Sequence, residues 1–147
     1  MIVSTPRESI WAWMNTRLRI AWSDDFRGIG IVDKRCDCLK AAVGYNTFVG
    51  RACFMHGAID DPSVVTRTFR EAILEYPFRD LRLECVFGLV DETSTRMRDM
   101  AERLGFKETS ERFKGSGTAG ADLILVRLYR EEWKASYEFR RRRSESP

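Results

Sequence analysis

His56 is the only histidine in the chain, and it sits where the apolar segment CFMHGAIDDPSVVTR, residues 53–67, runs into a helical pattern. Imidazole is the side chain that ordinarily changes charge between pH 5 and 8, so this position decides whether the chain holds a general base. Two readings stand side by side. His56 faces a ligand held at the start of the following helix, or its ring packs on a sheet and bonds a neighbouring carbonyl. Cys85 alternates with Leu83 and Phe87, which reads as a small core residue rather than a nucleophile. Cys36-Asp37-Cys38 with His56 offers metal-ligand side chains but not the paired C-x-x-C spacing of a zinc site, so no metal is expected. Asp24 and Asp25 read as a solvated loop.

The remaining composition bounds the answer. In 147 residues, 44% hydrophobic and 32% charged side chains suit a single globular domain with one core. No apolar run approaches a bilayer span, so no membrane partner is expected. Charge inside the first apolar stretch, MIVSTPRESIWAWMN, argues against a secretory leader. The expected compartment is therefore the cytoplasm, with Cys36, Cys38, Cys53 and Cys85 as thiols. The net charge is +3, and its basic excess gathers in Arg140–Arg143. The sequence thus predicts a single domain over residues 1–134 and a basic, flexible tail over 135–147. By charge alone that tail could touch nucleic acid or a protein.

The elements that must position His56 follow from periodicity. Ile10, Trp11, Met14 and Leu18 recur at helical spacing, with Ser4 or Thr5 as cap and Pro6 in the first turn. Trp13 and Trp22 read as ordinary anchors of that helix. Gly28–Asp33, Leu39–Phe48 and Arg51–Ile59 read as three strands joined by short turns, an antiparallel meander. Val65, Phe69, Ile73 and Tyr76 mark a helix over Ser63–Tyr76, stopped by Pro77. Leu81–Val90 alternates, with Leu81, Leu83, Cys85, Phe87 and Leu89 on one face. A helix over Glu92–Leu104 turns Met97, Met100, Ala101 and Leu104 inward and stops at Gly105. After a Gly-rich hairpin turn, KGSGTAGA, comes a strong strand over Ala121–Tyr129. Two strand–helix–strand crossings require parallel pairing within the sheet. The fold class is therefore α+β, an α/β sandwich with a mixed central sheet flanked by helices.

This ordered set of segments resembles the GNAT superfamily of acyl-CoA-dependent N-acetyltransferases, over about residues 8–133. The match is clearest in RMRDMAERLGFKETSERFKGSGTAGADLILVRLYREEW, residues 96–133. The stretch from Phe54 to Phe78, with FMHGA, TR and EYPF, is similar to a compact phage and prophage branch. The resemblance implies a GNAT-like fold and transfer of an acetyl group from acetyl-CoA to an amine by direct attack on the thioester, without a metal. It implies that Met55, His56 and Gly57 hydrogen-bond the pantetheine arm, and that Phe87–Val90 splay away to open a slot. Ser63, Val64, Val65, Thr66 and Arg67 would receive the pyrophosphate at a helix N-terminus. Ser94 stands where the family often has an Asn that touches the cofactor, and His56 lies on the strand where a general base is common. The resemblance also gives Trp13 and Trp22 a second reading, as walls on the acceptor side, and lets Asp24 and Asp25 attract a cationic amine.

The sequence departs from the family at two places. The phosphate segment Ser63–Thr66 has no Gly, and Asp60 and Asp61 precede it. Ala101 stands where many members place a Tyr as general acid. These departures define the alternative expectation: a GNAT-fold module of phage type that has lost catalysis and binds a protein or nucleic acid through its arginine tail.

Overall fold

The computed structural model describes residues 1–146. Strand β1 (Ile2–Val3) leads into helix α1 (Arg7–Leu18). The apolar stripe of α1 buries Ile10 and Met14, each worth about 1.5–3 kcal/mol when removed from water. Pro6 itself occupies the N-cap in an extended conformation, and no side chain caps the helix, so neither Ser4 nor Thr5 has the expected role.

Strands β2 (Arg27–Asp33), β3 (Cys38–Val49) and β4 (Ala52–Ile59) form the antiparallel meander expected from the sequence. Helix α1 packs over all three, and small residues let it come close. A Cβ on Gly44 would stand 2.6 Å from the Phe26 ring, which is itself fully buried. The turn between β2 and β3 brings the Cα atoms of Cys36 and Cys38 to 5.2 Å, and the two are disulfide-bonded. The expectation of four thiols is thereby corrected; Cys53 and Cys85 are free. The same bond takes Cys36 and Cys38 out of any ligand set with His56.

The other face of the sheet carries the larger core. A 3-10 turn (Pro62–Val64) precedes helix α2 (Arg67–Glu75), and a π turn (Tyr76–Asp80) extends that helix by a last turn. Pro77 lies inside this wide turn, where the N–H of Leu81 reaches the Tyr76 carbonyl at 3.1 Å, so the helix stops later than Pro77 suggests. The stripe Phe69, Ile73 and Leu74 is buried against the sheet. Fully buried Tyr45 fixes α2 in place, its hydroxyl donating to the Ile73 carbonyl.

Strand β5 (Cys85–Asp91) follows, then helix α3 (Thr95–Leu104), strand β6 (Lys107–Phe113) and strand β7 (Leu123–Tyr129). Gly105 ends α3 with φ 99°, a left-handed stop that suits glycine, and Phe106 folds back into the core. Among the described residues the seven strands are ordered β1-β2-β3-β4-β5-β7-β6, and only β4 and β5 run parallel. The second expected parallel crossing is absent. Strand β6, mostly polar and charged, carries no apolar alternation to announce it, and its hairpin slots β7 antiparallel beside β5. The buried face of β5 is also the opposite of the expected one. Val86 and Val90 enter the core under α2 and α3, while Leu89 is exposed.

Helix α4 (Arg130–Glu145) occupies the segment expected to be a flexible tail. Its first turn holds Glu131 and Glu132, favourable at a helix N-terminus, and Glu132 accepts from the Tyr129 N–H at 3.1 Å. Trp133 is buried against Phe78 with ring centroids 5.3 Å apart, and Tyr137, one turn on, packs beside it. These aromatic anchors at i and i+4 share one face of the helix and dock it on the core. Among the described residues, no helix is long and apolar enough to cross a membrane.

Candidate functional site

The parallel pair β4–β5 is incomplete. The strands are in register at Ala52↔Cys85, Cys53↔Val86 and Phe54↔Phe87, and pairing stops there. At the fork a Cβ on Gly88 would come within 3.0 Å of the Met55 carbonyl oxygen, so the backbones are still close. Beyond it, Met55–Ile59 continue to pair with β3, and Gly88–Asp91 continue to pair with β7, but not with each other. The result is a wedge-shaped slot whose β4 wall has backbone N–H and C=O groups without a strand partner. Such an edge can accept an extended amide-bearing chain as a surrogate strand.

The three β4 residues that the sequence points to lie on this wall and face alternately to its two sides. Met55 packs toward the main core. Gly57 faces α3, where a Cβ would meet the Met97 side chain at 4.0 Å, an ordinary contact. His56 points to the α1 face, half-buried and stacked on Phe54, whose ring in turn lies 4.1 Å from that of Phe87. His56 Nε2 is 2.8 Å from Asn46 Oδ1. Asn46 is 7% exposed, the only buried residue of polar type among the described residues. An amide oxygen accepts, so Nε2 carries the proton and Nδ1 is left as the basic nitrogen. Burial pushes the His56 imidazole below its ordinary value of 6.5. A neutral imidazole with a fixed tautomer is equipped to take a proton.

Sequence pattern does not point to Asn46. It lies at a register shift of β3, ten residues before His56, and only the hairpin register sets the two side chains diagonally across the strands.

The segment expected to receive phosphate is built differently from the expectation. Helix α2 begins at Arg67, four residues later than Ser63, so Ser63, Val64 and Val65 belong to the preceding turn. Both hydroxyls expected to meet phosphate serve as local caps or bonds. Ser63 donates its N–H and its hydroxyl to Asp61 Oδ1 at 2.9 and 2.6 Å, and Thr66 Oγ1 accepts from the Phe69 N–H at 3.2 Å. Val64 and Val65 pack on the core. The open donors of this helix end are the amides of its first residues, Arg67 and Thr68. Arg67 extends a guanidinium to Glu71 at 2.8 Å. Of the two acids before the helix, Asp60 is neutralised by Arg17 of α1, with contacts of 2.8 and 2.6 Å, and that bond holds its carboxyl below the usual range.

Ser94 caps α3 by accepting from the Met97 N–H at 3.3 Å, directly after β5. Asp91, at the end of β5, accepts from Thr93 and from the Thr118 N–H, which lowers its carboxyl to about 2 and ties the β6–β7 loop over the strand end. On the α1 face, Trp11, Trp22 and Phe26 form one aromatic cluster, and Trp13 lies under the Arg17 guanidinium at 3.6 Å. Asp25 accepts from the Phe48 N–H at 3.1 Å, two residues from Asn46; with the Ser23 hydroxyl as the leading cause, its carboxyl is held below the usual range.

No family model and no curated protein matches the chain. Solved structures do. A mutant form of the spermidine/spermine N-acetyltransferase SpeG from Vibrio cholerae covers 92% of this chain and 98% of its own length, with TM-score 0.74 and 13% identity. A chimera of SpeG from Vibrio cholerae and hSSAT covers 90% and 97%, with TM-score 0.72 and 14% identity. SpeG from Vibrio cholerae in complex with manganese ions covers 92% and 95%, with TM-score 0.70 and 13% identity. At such identities the likeness speaks for the fold. The mixed sheet with helices on both faces is the fold of these N-acetyltransferase structures.

Proposed function

We propose that this chain is an N-acetyltransferase that takes its acyl group from acetyl-CoA and gives it to a primary amine. The observation that carries this reading is the unpaired wall of β4, open from Met55 onward, with His56 neutral on its α1 side. The free edge of Met55–Ile59 would hold the pantetheine amides. The Arg67 and Thr68 amides would receive the pyrophosphate at the positive end of α2. In that arrangement the thioester lies beside His56.

Chemistry then requires little more. His56 Nδ1 takes a proton from the substrate ammonium, directly or through one water, and the freed amine attacks the thioester carbon. Backbone N–H groups of the β4 wall stabilise the oxyanion as the tetrahedral centre forms. Collapse breaks the C–S bond and releases the thiolate of coenzyme A, and the second proton of the former ammonium passes from the new amide nitrogen to water or to that thiolate. With Ala101 in place of the Tyr that many members carry, no side chain is assigned to protonate it. A thiolate is a good enough leaving group to depart as the anion. The acceptor enters from the α1 face, where Asp25 supplies negative charge near Asn46. Spermidine, the substrate in the names of the structural neighbours, is the first candidate, ahead of other small amines. The phage or prophage origin rests on the resemblance over residues 54–78 alone, and a cytoplasmic location goes with a soluble small-molecule enzyme.

The test is acetyl transfer from acetyl-CoA to a panel of amines, followed by release of free thiol. The expected result is turnover with at least one polyamine or monoamine and a fall in kcat of about 10²-fold or more in His56→Gln, with KM for acetyl-CoA little changed. Equal losses in kcat and acetyl-CoA affinity would count against a base. No transfer to any amine, with acetyl-CoA bound, would favour the non-catalytic module.

A further inference from the structure

Away from the slot, helices α2, α3 and α4 enclose a groove of about 570 Å³ whose charge is one-sided. Arg70 comes from α2, Arg103 from the end of α3, and Arg140 and Arg143 from α4. Among the described residues none of these four has a carboxylate within 4 Å; the one acid in the lining, Glu71, is already paired with Arg67. The Arg140 Nε is buried and makes no hydrogen bond. A buried donor without an acceptor is unfavourable, as is a group of unneutralised guanidiniums facing one space. Both are relieved by one kind of guest, an anion with several acceptor oxygens, for which the planar guanidinium fork is suited. The groove is not purely polar. Leu74 and Leu104 line it, and Phe139 stands at its edge 61% exposed, with the Arg143 guanidinium 5.9 Å from the ring centroid. Exposed aromatic surface next to arginines is a platform for a flat heterocycle.

We infer that this groove binds a nucleotide carrying more than one phosphate, its base against Phe139 and its phosphates on Arg70, Arg103, Arg140 and Arg143. Two sources share that chemistry. One is the adenosine 3′,5′-bisphosphate end of coenzyme A, which rests on the function proposed above; Arg67 joins the start of α2 to the groove and gives the route. The other is a free nucleotide bound independently of the slot. In either case α4, expected from the sequence to be a loose tail, becomes one wall of a binding site.

The experiment is calorimetric titration of the full chain with adenosine 3′,5′-bisphosphate and, separately, with acetyl-CoA and its form lacking the 3′-phosphate. Two double variants are compared, Arg140→Ala with Arg143→Ala, and Arg141→Ala with Arg142→Ala. Each removes two positive charges from the last turns of α4, but Arg141 and Arg142 are exposed and do not line the groove. The first pair is expected to weaken adenosine 3′,5′-bisphosphate by about tenfold or more, the second by less than about threefold. Circular dichroism checks that both fold. Competition between acetyl-CoA and the bisphosphate, together with a loss when the 3′-phosphate is missing, identifies coenzyme A as the source. Simultaneous binding identifies a free nucleotide. Failure of the wild type to bind the bisphosphate at millimolar concentration, or equal losses in the two variants, overturns the inference. If acetyl-CoA still binds in that case, the acetyltransferase reading survives alone. Binding of the bisphosphate without binding of acetyl-CoA would sustain the groove, with a free nucleotide as its guest, and count against the acetyltransferase.

Discussion

Because His56 is the only histidine, its titration can be followed by NMR without assignment ambiguity, and the structure fixes the direction of the result. Burial holds the imidazole below 6.5, while the unfolded chain binds its proton near 6.5. Between those two values unfolding takes up a proton. The contribution of His56 to stability is therefore full above about pH 6.5 and is lost as pH falls toward the native midpoint. The Asn46 side chain is the control. Asn46→Ala leaves the Nε2 proton without its acceptor at 2.8 Å, in a place where the replaced residue is 7% exposed and water has little access. A buried donor left unsatisfied costs about 1–3 kcal/mol, readable as a shift in the urea midpoint at pH 8. Asn46→Asp puts a carboxylate in the same place, which favours imidazolium and moves the midpoint upward. Titration of wild-type His56 at or above 6.5, or a cost below about 0.5 kcal/mol for Asn46→Ala, would refute this reasoning.

Three other expectations come from particular contacts. Thr66→Ala removes the cap that accepts from Phe69 and should destabilise the protein by about 0.5–2 kcal/mol by urea denaturation, with Thr66→Ser recovering most of it. Gly44→Ala drives a Cβ to 2.6 Å from the immobile Phe26 ring and should lower stability in the same assay by about 1–3 kcal/mol. Gly57→Ala meets only the end of Met97 at 4.0 Å, so stability should change by less than about 0.5 kcal/mol, while calorimetry should show acetyl-CoA affinity falling as the slot wall thickens.

What could be read from the sequence is what local pattern controls. The meander β2–β4, the stripe of α2 and the Gly105 stop each depend on alternation, a 3.6-residue period or a single backbone requirement, and each is found in the structure. Strand β6 escaped because KETSERF has no buried face to pattern it; its identity comes from pairing with β7. The buried side of β5 is ambiguous in sequence for a related reason. Both of its faces are apolar, and the choice between them is made by which face α2 and α3 cover. In the site, His56 is visible by type alone, but its partner Asn46 requires the register of a hairpin. The start of α2 falls later than the pattern suggests because Ser63 bonds locally, within a 3-10 turn held by Asp61. The arginines of α4 are legible as charge, whereas their enclosure with Arg70 and Arg103 needs Trp133 and Tyr137 to dock the helix.

Acetyl-CoA binding along the open wall of β4 is the claim on which the proposed chemistry depends. The most direct measurement is a titration of acetyl-CoA into the isotope-labelled protein, with backbone amide shifts mapped residue by residue. Saturable shifts concentrated on Met55–Ile59, Gly88–Asp91 and the first amides of α2 are the predicted result. At about a hundred times the dissociation constant, unfolding should also become harder by about 2.7 kcal/mol. Absence of binding at millimolar acetyl-CoA, or saturable shifts that avoid both β4 and β5, would contradict that claim.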